Sequence, residues 1–221
     1  MTETTASPEM MRFGAICSLA FFLLSWVYGV TLILGLSSLA DANAPIGDPY
    51  FTILEIVILL LAPVLVAVFA CIHAQAPEST KIFGLMSVIF AALLAGLTCS
   101  VHFTILTLSR QAAFLSWQSA PLLFSFHWPS LAYALDILAW DIFFAFAAFS
   151  AIPAISGGDL AKSIRLLLGS SGGLALVGLI GIPDGNMQIR NIGIFGYVGT
   201  FSIASLMLSI RFYRLIRSAR E

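Results

Sequence analysis

The sequence predicts an all-α protein: a polytopic bundle of six transmembrane helices, both termini cytoplasmic, forming one integral membrane domain over residues 1–221. Three observations lead there. The first is composition. Of 221 residues, 60% are apolar and 10% charged, against about half and a quarter in soluble domains. Ten Lys and Arg and eleven Asp and Glu cannot cover a soluble fold of this size, and the mean hydropathy is +1.01. The second is that the apolar residues come in long continuous runs. Alternating strands of a barrel, ~10 residues each, do not look like this. The third is a charge bias between the breaks, set out below. The same composition excludes a disordered chain and a basic nucleic-acid-binding face.

Each run is long enough for the ~20 residues a spanning helix needs. The first, about 13–40, holds no charge from Phe13 to Ala40. Ala42-Asn43-Ala44 after it resembles a signal-cleavage site. However, the run is about twice the usual signal core, and the leader carries Glu3 and Glu9 against Arg12. It is therefore read as a retained span. The second run, about 52–73, is Ile56–Ile72 between Glu55 and His73. The third, about 82–109, starts after Lys81 and passes through His102 to Ser109. Residues 111–126 are apolar but short and interrupted by Pro121, which predicts an interfacial or re-entrant helix. Trp117, His127 and Trp128 beside it are amphipathic rings suited to the headgroup level. The fourth run, about 130–155, is apolar apart from Asp136 and Asp141. The fifth, about 166–182, leads to Pro183-Asp184-Gly185-Asn186, good turn chemistry. The sixth, about 191–211, leads into a basic helical end in which Arg211, Arg214, Arg217 and Arg220 form a stripe suited to anionic lipid.

A cytoplasmic N-terminus puts Arg12, Lys81, Lys162, Arg165 and the four terminal arginines on one side, and only Arg110 and Arg190 on the other. That bias follows the positive-inside rule and points to the cell membrane. Inside lipid, small residues at four-residue spacing mark helix contacts. The expected seams are Ala92, Gly96 and Ser100 in the third run, and Gly169, Gly173 and Gly178 in the fifth. The sixth offers Gly193, Gly196, Gly199, Thr200 and Ala204.

No compact motif names a reaction or a cofactor. CxxC, HExxH, GxSxG and the Walker loop are missing, and the Gly-Gly pairs lack GxGxxG spacing. Cys17, Cys71 and Cys99 read as small buried residues. His73, His102 and His127 form no local zinc spacing, so no metal is expected.

What stands out is a set of polar groups inside the runs. Glu55, His102, Asp136 and Asp141 all fall in the outer half under this topology. A charge at the bilayer centre costs ~2.5–3.5 kcal/mol on insertion scales, and acids cannot snorkel as lysines do. No Lys or Arg lies within a run, so compensation is expected from the outer side. The simplest joint reading is a polar pocket open to the extracytoplasmic side. Each residue also has a blander role. Thr52-x-x-Glu55 before an apolar run matches a capping box. His102 suits an interhelical hydrogen bond, and Asp136 a hydrogen bond or a contact with Arg190. Arg190 itself suits solvent, headgroups, Asp136, Glu55 or a ligand anion. Asp141, the deepest, is hardest to explain structurally. On an α-helix Asp136 and Asp141 point about 140° apart, so they are expected to face different neighbours. Tyr133, Trp140 and Phe144 offer an aromatic wall.

These features favour a small carrier or binding protein for a proton, cation or amphiphile. The alternatives are a membrane enzyme acting on a lipid-like substrate, and a non-catalytic subunit or assembly factor of a larger complex. The expected partners are membrane lipids and a homo-oligomer or larger membrane complex, with no nucleic acid.

Overall fold

The computed structural model describes residues 7–39 and 44–218. Asp41, Ala42, Asn43 and Arg220 lie outside them. The described chain is helical with no strands, and six helices are long and apolar enough to cross a membrane. They are α1 (Pro8–Ser37), α2 (Tyr50–Ala74), α3 (Lys81–Leu108), α4 (Leu131–Ala151), α5 (Asp159–Gly181) and α6 (Met187–Ser218). Large apolar side chains face outward on every one of them, up to 72% exposed at Leu166 and 70% at Phe195. Such a surface is unfavourable in water and suits lipid. The chain is a multi-pass membrane protein by these criteria.

Local signals set the helix ends. Ser7 caps α1 by accepting the Met10 N–H at 3.2 Å, and Pro8 takes the first helical turn. The helix therefore begins five residues before the apolar run. Ser130 caps α4 by accepting the Tyr133 N–H at 3.1 Å. Pro153 disfavours helix at Ile152, so α4 stops at Ala151 rather than near 155. Asn186 accepts the Gln188 and Ile189 N–H groups and starts α6. The preceding turn places Gly185 at φ +64°, where glycine is favoured. α5 begins at Asp159, well before 166, because Lys162 and Arg165 belong to its first turns.

Two expectations fail here. The capping box at Thr52 and Glu55 is not formed. Asp48 takes the capping role instead, accepting the Thr52 N–H at 3.2 Å and the Thr52 hydroxyl at 2.5 Å. Asp48 also pairs with Arg110 at 2.8 Å. The Thr52 hydroxyl, followed by its N–H and Arg110, holds the Asp48 carboxyl below its ordinary pKa. Residues 111–126 are not one helix but two short ones, Ala112–Leu115 and Ala120–Leu123. The break falls at Ser116–Ser119, before Pro121.

Each long helix packs on its sequence neighbours, and α6 returns to α1, closing a ring. Gly14 of α1 lies against Phe212 of α6, while Gly29 lies against Val198, so this closing pair is antiparallel. At the centre of the ring Phe201 meets Phe21 (5.0 Å between centroids), Phe69 (5.6 Å) and Phe144 (5.2 Å). All four rings are fully buried, one each from α6, α1, α2 and α4.

The glycine seams divide. A Cβ on Gly196 would sit 2.6 Å from the Ser171 carbonyl, and one on Gly178 2.7 Å from the Arg190 carbonyl. These positions hold α5 and α6 together. Gly173 and Gly199 meet nothing within 4 Å, and Gly169 makes only ordinary contact. Gly172 is the tighter α5 position, 3.0 Å from the Phe149 ring. The third-run seam is corrected outright: Ala92, Gly96 and Ser100 are exposed, and Gly96 faces open space. The packed face of α3 is Gly84, Ser87, Ala91, Leu94, Ala95 and Thr98. Spacing alone could not choose between the two faces. Gly196→Ala is therefore expected to lower stability by about 1–3 kcal/mol through overpacking. Gly96→Ala is expected to be neutral or stabilising. Unfolding of the two variants in one detergent checks this.

Candidate functional site

Five polar side chains meet near one end of the ring, and none is more than 9% exposed: Glu55, His102, Asp136, Asp141 and Arg190. Measured from their helix ends, Glu55, His102 and Asp136 lie about 7–9 Å deep and Asp141 about 15 Å, at ~1.5 Å per residue. His102 is the bridge. Its Nδ1 lies 2.9 Å from Glu55 Oε2 and its Nε2 3.3 Å from Asp136 Oδ1. Asp136 Oδ2 is in turn 3.8 Å from Arg190 Nη2, and Arg190 Nε is 3.3 Å from Asp141 Oδ2. The guanidinium also lies over the Tyr133 ring, 5.1 Å from its centroid. The chain of contacts runs Glu55–His102–Asp136–Arg190–Asp141 across α2, α3, α4 and α6.

The structure brings together all five residues singled out from sequence. It also corrects two expectations about them. First, the acids do have a resident base. Arg190 starts α6 at its Asn186-capped end, and the side chain turns into the bundle rather than toward headgroups. Second, Asp136 and Asp141 share that base. The backbone explains it: Leu138–Phe143 forms a π-turn. A π-turn uses more residues per revolution than an α-turn, so positions five apart come round to one side. α6 carries its own π-turn over Phe195–Thr200, just below Arg190. Gly193 makes room for the deepest acid, since a Cβ there would overlap Asp141 Oδ1.

Counting protons constrains the cluster further. A neutral imidazole carries one N–H and satisfies one acceptor. Two ring nitrogens facing two carboxyl groups require a second proton, on the ring or on one of the acids. With the imidazole charged and every carboxylate ionised, three negative charges face two positive ones. The cluster is then one positive charge short of neutrality. Hydrogen bonding is incomplete as well. Both Asp141 oxygens, Arg190 Nε and Arg190 Nη2 are buried with no hydrogen-bond partner among the described residues. The Arg190–Asp141 contact is thus an ion pair by distance without hydrogen-bond alignment.

The expected open vestibule takes a closed form. Phe126, from the segment between α3 and α4, stacks on His102 with 4.6 Å between centroids. Trp128 and Phe126 both contact the Tyr133 ring edge-on, at 6.4 Å. Below His102, Asp136 and Arg190 lies a cavity of about 50 Å³. His102, Asp136 and Arg190 form its upper wall, and Ser25, Tyr28, Trp140 and Tyr197 line its sides. Of the expected aromatic wall, Trp140 lines the cavity and Tyr133 lies under Arg190. Phe144 instead belongs to the Phe201 cluster below. The sequence reading missed Ser25, Tyr28, Tyr197 and Phe126, because single polar or aromatic residues in long apolar runs carry no spacing signal. Among the described residues no group of three His, Cys, Asp or Glu side chains is placed to hold a metal ion. The chain matches no family model, no curated protein and no solved structure.

Proposed function

We propose that this chain is a small multi-pass carrier that binds a proton at the Glu55–His102–Asp136–Arg190–Asp141 cluster. The observation that carries this reading is His102 held between two buried carboxyl groups beside a buried Arg190 that also serves Asp141. Buried acid–histidine chains inside a bilayer suit proton transfer, because each contact offers a donor, an acceptor and one labile hydrogen. The charge shortfall of one gives the cluster room for one additional proton at little electrostatic cost. The charge bias supports an orientation with both termini cytoplasmic and the cluster in the extracytoplasmic half of the cell membrane.

The cavity beside the cluster is too small to hold a lipid-like substrate. At about 50 Å³ it is far smaller than the roughly 300–1,000 Å³ of ordinary ligand pockets.

Charge displacement on a solid-supported membrane tests the proposal without knowledge of a co-substrate. A pH step applied to proteoliposomes of the wild type is expected to give a transient current as protons enter the cluster within the membrane field. Asp141→Asn is expected to reduce that current while the protein still inserts and purifies as a single species. A wild-type current no larger than that of empty liposomes would sink the proposal.

A further inference from the structure

We infer that the cavity beneath His102, Asp136 and Arg190 is a buried water site, holding a small group of hydrogen-bonded waters midway through the bundle. Its volume of about 50 Å³ leaves room for a few molecules at ~10–15 Å³ apiece. Volume alone does not decide occupancy, since apolar cavities of larger size stay dry. The lining decides it. Ser25 of α1 is 1% exposed, lines the cavity, and its Oγ has no hydrogen-bond partner. Serine and threonine in these helices commonly satisfy themselves on a carbonyl three or four residues back. Thr31, Ser87, Ser171 and Ser205 do so at 2.6–3.0 Å. Ser25 does not. Arg190 also lines the cavity and has two nitrogens without a hydrogen-bond partner; its Nη2 stands 3.8 Å from Asp136 Oδ2. That spacing is too long for a direct hydrogen bond and suits a shared water. Tyr28 and Tyr197 add two phenols to the lining. A donor such as Arg190 N–H, an acceptor such as Asp136 Oδ2 and the Ser25 hydroxyl give a bridging water the partners it needs.

The water site has a floor. Phe201, Phe21, Phe69 and Phe144 close the ring below it with no polar atom among their side chains. The hydrated space therefore adjoins the cluster above and ends at the phenylalanines. In this position the water is the store from which the cluster exchanges its proton: an O–H bond of a protonated water breaks as an O–H bond on Asp136 forms, and the reverse on release. Hydration stands independently of the proton-binding proposal; the exchange role rests on it.

X-ray radiolytic labelling of the purified protein tests both parts, because radicals formed on bound water oxidise adjacent side chains even when they are buried. Wild type is expected to show oxidation at Tyr28, Trp140 and Tyr197 and none above background at Phe69 and Phe201. Ser25→Leu, which fills the space, is expected to bring the first three to background. Ser25→Ala, which keeps the space, should leave them labelled. Wild type without labelling at Tyr28, Trp140 and Tyr197 overturns the water site, whatever the pH-step current shows. Labelling that is lost in Ser25→Leu with an unchanged rate of that current overturns the exchange role alone.

Discussion

Arg190→Met is expected to destabilise the detergent-solubilised protein by about 3–5 kcal/mol, the cost of leaving a buried charge without its partner. Arg190 is 3% exposed and stands between Asp136 and Asp141, which is itself fully buried. Among the described residues His102 is the only other base paired with the cluster, and it engages Glu55 and Asp136. Loss of the guanidinium therefore strands Asp141. The deficit should grow as pH rises, because the stranded carboxyl folds comfortably only while it carries a proton. Adding Asp141→Asn to Arg190→Met should recover much of the loss, since the stranded charge is then gone. Asp141→Asn alone should hold or raise stability, because it removes one negative charge from a set that has one too many. Chemical unfolding of the four proteins completes a double-mutant cycle. Additive effects for Arg190 and Asp141 would show that the contact contributes nothing.

His102→Leu is expected to have the largest functional effect. His102 is the hydrogen-bond partner of Glu55 and joins it to Asp136. Its removal leaves the Glu55 carboxyl, 3% exposed, unsatisfied at a cost of roughly 1–3 kcal/mol. It also cuts the chain of labile hydrogens into separate pieces. The two consequences separate in the double variant Glu55→Leu/His102→Leu. Its stability should return toward wild type, because an apolar pair replaces a polar one. Its pH-step current should stay abolished. Recovery of the current together with stability would mean that His102 serves packing alone.

The fold was largely legible because lipid imposes a simple demand. Backbone groups must be satisfied within each span, so long apolar runs become helices, and the six runs give six helices. Helix ends were less legible where the helix starts outside the apolar run, as at the Ser7-Pro8 cap and at Asp159. The site divided along a similar line. Isolated Glu55, His102, Asp136 and Asp141 stand out because polar groups in lipid carry a cost. Arg190 is a candidate with its partner left open, because it sits at the edge of its run, and edges say nothing about which way a long side chain turns. The shared use of Arg190 by Asp136 and Asp141 depends on the π-turn over Leu138–Phe143. Leu-Ala-Trp-Asp-Ile-Phe has no residue that announces such a turn, and α-helical arithmetic gives the wrong face. Ala92, Gly96 and Ser100 failed for a related reason, since four-residue spacing marks a smooth stripe without saying whether another helix covers it.

Infrared titration of the purified protein addresses the central claim most directly, because a protonated carboxyl has its own C=O absorption, distinct from the ionised form. One protonated buried carboxyl that titrates reversibly, and that is removed or displaced by Asp136→Asn or Asp141→Asn but kept in Asp48→Asn, is the expected result. A wild-type spectrum with no titrating carboxyl, or one that survives replacement of Glu55, Asp136 and Asp141 alike, would contradict it.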